Sequence, residues 1–264
     1  MRNAIVRDFL EKKRERNRIS MLTAYDSHSA SICDQNGVDV ILVGDSLGRL
    51  VHLEQDSRGV TVTDMMYHTT IVARGVERAW VVTAMPFGSY ETADMAVQNA
   101  RQLMQGGQAH GLQMEGRKIS EQVRAVVRTG VPVMGLVGMD PELAEKLGPY
   151  SATAQKPKAE YEEIIQDCIS LEKAGCFGLV LRTLPANLAK RIAQLLRIPV
   201  IGLGSGKHTD GQLLYFHDMM GITDDFRPRH VKRYAHVSQV MVQGVRSFMS
   251  DVERGNFPAE ENEY

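Results

Sequence analysis

Three ionisable residues stand where apolar segments end, and their types suit chemistry on a small anion. Asp45 follows the run VDVILVG, Glu115 lies in HGLQMEG, and Arg182 closes CFGLVLR. Two carboxylates can hold Mg²⁺ together with waters or substrate oxygens, or they can transfer protons. The charge of Arg182 ends a very apolar segment and needs an anion or water, and its planar fork suits a bidentate grip on a carboxylate. The three residues predict a site for a small carboxylate.

Each of these residues also has a structural interpretation. Asp45 could cap the helix that follows it, Glu115 could pair with Lys118, and Arg182 could form a salt bridge to a neighbouring loop. The glycine-rich run at 202–206 resembles a phosphate cradle, but it is not a full GxGxxG motif. A glycine turn of that kind often provides only close packing. The eight histidines show no metal-ligand spacing.

The elements that must position these residues are short and uniformly apolar, which is typical of strands buried on both faces. We predict strands within residues 19–25, 38–44, 79–87, 110–116, 131–138, 176–182 and 198–206, with an eighth near Leu214–His217. Helical segments alternate with them, and this alternation implies parallel pairing. Seven or eight such units in 264 residues favour a (β/α)₈ TIM barrel over a doubly wound open sheet. In a barrel, polar residues at the carboxyl ends of the strands form the active site.

Composition narrows the class of protein. The chain is 43% hydrophobic and 24% charged, which excludes collagen-like and disordered classes. A formal charge of -1 gives no field for nucleic acid or anionic lipid, and no apolar run approaches the ~20 residues of a membrane span. Three cysteines without a CxxC pair indicate a reducing compartment. We therefore predict a cytoplasmic globular protein with neither nucleic-acid nor membrane partners.

No linker or sharp change of composition divides the chain, so residues 1–264 are predicted to form a single domain. It begins with a helical segment, in which the charged run EKKRER predicts a solvated helix face. It ends with a helix over Val231–Glu253, whose apolar positions could pack on the barrel or on another subunit. Asp26, Thr92 and Asp140 are the candidate residues for capping helix N-termini.

Several motifs carry a resemblance to a known family. They are TAYD (23–26), VGDSLG (43–48), VTVTDMMYHT (60–69), MPFGSY (85–90), MEG (114–116), IPVIGLGSG (198–206) and TDGQLLYFHDMMGIT (209–223). Together they resemble ketopantoate hydroxymethyltransferase over nearly the whole chain. The resemblance implies a barrel of the phosphoenolpyruvate/pyruvate type and a homo-oligomeric ring, commonly a decamer. It also implies hydroxymethyl transfer from methylenetetrahydrofolate to 2-oxoisovalerate, with a divalent metal such as Mg²⁺ chelating the 2-oxo acid.

Carried over residue by residue, the resemblance keeps part of the family's site. Asp45 matches the first metal aspartate, Ser46 a substrate-binding serine, and Glu115 a glutamate on the outer side of the metal. Four other positions differ: Ala84 replaces the second metal aspartate, Gln113 the substrate-binding lysine, Leu136 a histidine, and Arg182 the catalytic glutamate. The lid segment, YSATAQK at 150–156, differs as well.

These replacements predict altered chemistry. Alanine cannot ligate a metal, and a guanidinium cannot accept a proton at working pH. The replacements at 84, 113 and 182 leave the pocket two charge units more positive than the family pattern. We therefore expect Asp45, Glu115 and Arg182 to be catalytic and Ser46, Gln113 and Arg182 to bind substrate. Asp45 and Glu115 are also the expected metal ligands. Because Ala84 replaces the second metal aspartate, metal binding is the least supported of these expectations.

Three functions remain open at this point. The first is a repurposed enzyme with aldol-type C–C bond chemistry on a small 2-oxo acid or related carboxylate, using a site that needs no metal. The second is a non-catalytic paralogue that acts as a scaffold or as a regulator of an active homologue. The third is the ordinary family reaction performed by a rearranged site, with methylenetetrahydrofolate as the one-carbon donor. The sequence alone ranks the repurposed enzyme first.

Overall fold

A closed barrel of eight parallel strands forms the centre of the computed structural model, which describes residues 2–138, 158–223 and 228–264. The strands are β1 (Ile19–Thr23), β2 (Val40–Val43), β3 (Trp80–Ala84), β4 (Gly111–Glu115), β5 (Val133–Gly138), β6 (Gly178–Arg182), β7 (Val200–Leu203) and β8 (Gly211–Leu214). They follow one another around the barrel in chain order, and β8 pairs with β1. The predicted TIM barrel is confirmed and the open sheet is excluded. The eighth strand begins earlier than predicted.

One helix precedes β1, and helices follow each of the strands β1 to β6. They are α1 (Arg2–Glu15), α2 (Ser27–Gln35), α3 (Leu47–Leu50), α4 (Val62–Arg74), α5 (Ala93–Gly106), α6 (Ser120–Arg128), α7 (Lys158–Ala174) and α8 (Ala186–Leu195). Two predicted caps are confirmed, since the side chain of Asp26 accepts from the backbone N–H groups of His28 and Ser29, and Thr92 accepts from that of Met95. The predicted cap Asp140 and the lid at 150–156 lie outside the described residues.

Helix α1 covers the amino-terminal end of the barrel. Its Ile5 and Phe9 are fully buried in the barrel core, where the Phe9 ring meets that of Phe177 edge-on at 5.0 Å. The prediction of a solvated EKKRER face is wrong for Lys13. Its Nζ donates to the carbonyls of Ala193 and Ile198 and to Asp210 Oδ2, at 2.8 to 3.0 Å. Ile198 and Asp210 lie just before β7 and β8, and Ala193 lies in α8, so Lys13 anchors α1 to the starts of these two strands and to that helix.

The chain divides into two compact units, Met1–Tyr215 and Phe216–Tyr264. The first contains the barrel. The second contains α9 (Phe216–Met220), α10 (Val237–Arg254) and a short 3₁₀ turn at Glu260–Asn262. The terminal helix begins six residues later than predicted. Of its apolar residues, Val240, Met241, Val245 and Phe248 are exposed, whereas Val237 is partly buried. Organisation as one domain over 1–264 stays a prediction.

Among the described residues, none of the helices combines the length and the apolar character that a membrane crossing requires.

Candidate active site

A cavity of about 370 Å³ opens at the carboxyl end of the barrel. Its lining includes the six predicted site positions that surround the strand ends: Asp45, Ser46, Ala84, Gln113, Glu115 and Arg182. The volume equals that of about a dozen liquid waters, which is ample for a small carboxylic acid. The barrel therefore brings to one cavity residues that lie up to 170 positions apart in the chain, from Asp45 to Tyr215.

Strand register explains how these side chains converge. Ala84 at the end of β3 is the Cα partner of Gln113 on β4, and Glu115 is the partner of Leu136 on β5. Gln113 and Glu115 lie two residues apart on one strand, so their side chains leave the same face. Leu136 is buried in the barrel core and does not line the cavity. Arg182 ends β6 and pairs in register with Gly138.

An ion pair lies in the cavity wall. Nη2 of Arg182 donates to Oε1 of Glu115; Arg182 is only 8% exposed, whereas 38% of the Glu115 side chain is exposed. Gly138 makes this arrangement possible, because it has a φ of +146° and a Cβ there would stand 2.0 Å from the Arg182 carbonyl oxygen. A larger residue at 138 would push β5 away from β6 at the position where Arg182 enters the cavity. The alternative interpretation of Arg182 was a structural salt bridge to a neighbouring loop. Arg182 does form a salt bridge, but its partner is Glu115 on β4, which also lines the cavity.

Two tyrosines support the polar groups of the cavity. Tyr25 Oη lies 2.8 Å from Ser46 Oγ, and Tyr90 Oη donates to the backbone carbonyl of Glu115 at 2.9 Å. Burial raises the pKa of Tyr25, and burial together with the charge of Glu115 raises the pKa of Tyr90 to about 12. Both phenols are therefore neutral at physiological pH and can position Ser46 and Glu115 without adding charge.

Gln113 brings an unused donor to the cavity. Its side chain is 4% exposed, and Nε2 finds no hydrogen-bond partner among the described residues. A buried amide N–H₂ without an acceptor is costly in a folded protein, and such groups often mark the place of a ligand. Because Gln113 lines the cavity beside Glu115 and Ala84, a ligand oxygen in the cavity would satisfy it.

The described residues do not fit the divalent cation that the resemblance implies. Ala84 offers no ligand atom where a second aspartate would be needed, and Glu115 already accepts from the Arg182 guanidinium. No group of three or more His, Cys, Asp or Glu residues within 2–138, 158–223 and 228–264 is arranged to hold a metal ion. A cation bound at Glu115 would have to share the carboxylate with a positive side chain.

The glycine-rich run has a packing role. Ser205 is fully buried, and its Oγ donates to the carbonyl of Leu181 and accepts from the backbone N–H of Leu184. A Cβ at Gly206 would meet Ala186 Cβ at 2.5 Å. These bonds join β6, the loop after it and the end of β7. The run does not line the cavity described above, so close packing explains its glycines.

Sequence reasoning missed the residues at the mouth of the cavity. Arg49 and Arg58 line it beside Asp56, and Phe87 lines it although 68% of that residue is exposed. Phe87 and Tyr90 both belong to the quoted segment MPFGSY, and Tyr25 belongs to TAYD. These three residues could therefore have been found from the quoted segments. Nothing in the sequence indicated that the loop between α3 and α4, which contains Asp56 and Arg58, lines the cavity.

Comparison with known proteins places the whole chain in one family. The family model described as ketopantoate hydroxymethyltransferase matches residues 3–260. The chain is 41% identical to 3-methyl-2-oxobutanoate hydroxymethyltransferase of Flavobacterium johnsoniae, over 98% of this chain and 95% of the relative. It is 44% identical to the protein of that name from Bacteroides fragilis, over 97% of this chain and 94% of the relative.

Solved structures support the same barrel. A phosphonopyruvate hydrolase in complex with oxalate and Mg²⁺ superposes with a TM-score of 0.66 and 10% identity, over 99% of this chain and 93% of that chain. A 2,3-dimethylmalate lyase of the PEP mutase/isocitrate lyase superfamily gives a TM-score of 0.62 and 14% identity, over 96% and 89%. At this level of identity the similarity concerns the fold, and it confirms the barrel type expected from the sequence.

Proposed function

The chain belongs to the ketopantoate hydroxymethyltransferase family, and we propose that it transfers a hydroxymethyl group to a small 2-oxo acid, the activity that the names of its relatives state. The observation that carries this proposal is identity of 41–44% over nearly the full length of both chains. The divergent family member expected from the sequence is not borne out, because the comparisons favour the ordinary reaction over a repurposed or a non-catalytic protein.

The cavity supports the binding of a 2-oxo acid. Arg182 offers a buried guanidinium to the substrate carboxylate, and Gln113 Nε2 and Ser46 Oγ offer hydrogen bonds to its oxygens. Charge-assisted bonds of this kind fix both the position and the orientation of a planar 2-oxo acid. Glu115 is engaged with the Arg182 guanidinium, so we assign Glu115 to positioning and Asp45 to proton transfer.

The proposed reaction has two steps. Asp45 removes the proton at C3 of the 2-oxo acid, and the electron pair of the C3–H bond forms an enolate whose negative charge lies on the C2 oxygen. C3 then forms a bond to the methylene carbon supplied by methylenetetrahydrofolate, whose bonds to nitrogen break. Water provides the hydroxyl oxygen. Its two protons and the proton held by Asp45 go to the two folate nitrogens and the new hydroxyl group, and tetrahydrofolate leaves, so no oxidant or reductant is needed. Hydrogen-bond donors in the cavity must stabilise the negative charge on the enolate oxygen.

The mouth of the cavity suits the folate as a second substrate. Phe87 offers an exposed aromatic face there, on which a flat heterocycle can stack. Arg49 and Arg58 line the same opening and can pair with the carboxylates of a glutamyl tail.

Exchange of the C3 proton tests the first step separately from folate. The full chain would be incubated with 3-methyl-2-oxobutanoate in D₂O and followed by NMR, and transfer would then be measured with methylenetetrahydrofolate. We expect exchange and transfer, and a loss of about 10²- to 10⁴-fold in exchange rate for Asp45→Asn, as is usual when a general base is removed. Exchange without transfer would favour a repurposed enzyme. Neither exchange nor transfer would contradict the proposed function and favour the scaffold.

Assembly and location are part of the same proposal. We propose a homo-oligomer, because the terminal helix α10 exposes Val240, Met241, Val245 and Phe248 and such apolar patches commonly mark an interface. We also propose a cytoplasmic location, which the three cysteines without a CxxC pair support. Light scattering coupled to gel filtration would give the mass of the assembly. A monomeric mass for the full chain would contradict it.

A further inference from the structure

We propose that this site binds its anionic substrate without a divalent cation, through the guanidinium of Arg182 and the buried amide of Gln113. The inference rests on the proposed function, since it concerns how the same 2-oxo acid is held. It departs from the metal chelation that the family resemblance implies, and it follows from three observations on the cavity.

The first observation is that the cavity wall already contains a fixed cation. Arg182 is buried at the end of β6 and is held by Glu115, so its guanidinium has a set position at the cavity. A guanidinium carries five N–H donors and can serve several acceptors at once. It can therefore bond to Glu115 and to a substrate oxygen together. A cation supplied by the chain can therefore bond to the substrate carboxylate without a metal ion.

The second observation is the donor of Gln113. Nε2 is buried at the cavity and has no acceptor within the described residues. An N–H group cannot ligate a metal ion, whereas it is the natural partner of a carboxylate, carbonyl or enolate oxygen. Gln113 and Glu115 share one face of β4, and Glu115 holds Arg182. The amide and the guanidinium thus present donors to the same cavity.

The third observation is the balance of charge around the cavity. Its lining contains three carboxylates, Asp45, Asp56 and Glu115, and three arginines, Arg49, Arg58 and Arg182. Arg182 bonds to Glu115, and Arg58 Nε bonds to Asp56 Oδ2 at 2.8 Å. Sites for Mg²⁺ rely on carboxylates and waters. Here a metal ion at Glu115 or at Asp56 would compete with a guanidinium for the same oxygens.

Substrate binding in the absence of metal tests this inference. The full-length protein, treated with EDTA, would be titrated with 3-methyl-2-oxobutanoate by isothermal calorimetry, and again with Mg²⁺ present. We expect affinities that agree within about twofold in the two conditions, because no cation takes part. Arg182→Lys keeps the charge but loses the planar fork, and we expect it to weaken binding roughly ten- to hundredfold. Gln113→Leu removes the neutral donor and should weaken binding roughly two- to tenfold.

Arg191→Lys serves as the matched control. Arg191 also pairs with a glutamate, Glu162, but on the outer helices α8 and α7 away from the cavity lining. This variant should bind as the unmodified chain does. Thermal melting of each variant checks that it is folded, and the conservative lysine keeps a positive partner for Glu115.

The outcomes separate the two proposals. Binding that requires Mg²⁺ would overturn the metal-free site and leave the proposed function standing. Tight metal-free binding that survives both Arg182→Lys and Gln113→Leu would overturn the assigned donors. Absence of binding in both conditions would overturn the proposed function together with this inference.

Discussion

The two ends of the barrel use buried polar groups in opposite ways. At the amino-terminal end, Lys13 bonds to two carbonyls and Asp210, and Trp80 Nε1 donates to Asp8 at 2.8 Å. Asp34 there accepts from the backbone N–H groups of three consecutive residues, 77 to 79. At the carboxyl end, Gln113 Nε2 has no acceptor among the residues that the structure describes. One end satisfies its buried groups internally, and the other keeps a donor for a ligand.

This difference indicates that the amino-terminal end of the barrel contributes mainly to stability, whereas the carboxyl end contributes mainly to ligand binding. Satisfied polar groups and packed rings tie α1 to the strand starts and contribute to the free energy of unfolding. An unsatisfied donor costs stability until a ligand arrives. Substitutions at the amino-terminal end should therefore destabilise the protein, whereas some at the carboxyl end should stabilise it and impair binding.

The largest expected effect is at Phe9. Phe9→Ala removes a fully buried ring that packs on Phe177, and we expect the free energy of unfolding to fall by about 3–5 kcal/mol. Urea unfolding followed by circular dichroism measures the change. The control is Leu10→Ala on the same helix, because Leu10 is 41% exposed. If the two variants lose equal stability, α1 does not close the barrel as described.

A smaller loss is expected at Lys13. Lys13→Met keeps the length of the chain but leaves two carbonyls and Asp210 without their donor, and should cost about 1–3 kcal/mol. The same unfolding measurement applies, with Arg14→Met as the control. Arg14 is exposed and pairs only with neighbours on its own helix among the described residues, so its loss should be within about 0.5 kcal/mol. Equal effects would show that the Lys13 contacts contribute nothing.

Substitution of Gln113 should change the free energy of unfolding in the opposite direction. Gln113→Leu replaces a buried unpaired amide by an apolar side chain of similar size, and the free energy of unfolding should rise by about 1 kcal/mol without ligand. Thermal melting detects this, with Gln102→Leu at an exposed position of α5 as the matched control. A clear loss of stability at 113 would mean that the amide already has a partner in the protein, and the contrast between the two ends would disappear.

The smallest effect concerns pH and Asp34. Burial opposes ionisation of this carboxyl, but three backbone N–H donors outweigh it and hold its pKa below the usual value. The unfolded chain therefore takes up this proton at a higher pH than the folded protein does, so the stabilisation is complete above about pH 5 and is lost as the pH falls through about 4 and below. Unfolding measured from about pH 5 down to about pH 3 should show a shallower pH dependence for Asp34→Asn than for the unmodified chain. An unchanged slope would exclude the contribution of Asp34.

The barrel and the positions of seven of its eight strands could be predicted from the sequence alone. Segments buried on both faces must be apolar throughout, and this requirement is written in the local composition of each strand. The same reasoning located Asp45, Ser46, Gln113, Glu115 and Arg182 at strand ends, since barrel strands present their carboxyl ends together. The family could be recognised from the quoted motifs, because each motif is a short continuous stretch of sequence that can be compared without knowing the structure.

Which residues form salt bridges and hydrogen bonds with each other could be read only from the tertiary structure. Whether Arg182 meets Glu115, whether Lys13 is solvated or buried, and whether Gln113 finds an acceptor depend on distances between segments far apart in the chain. The charged run at 11–16 has the composition of a solvated helix face, yet α1 lies across the strand starts and buries part of it. Local composition records which residues prefer water, whereas the partner that satisfies a buried charge is set by the packing of the whole barrel.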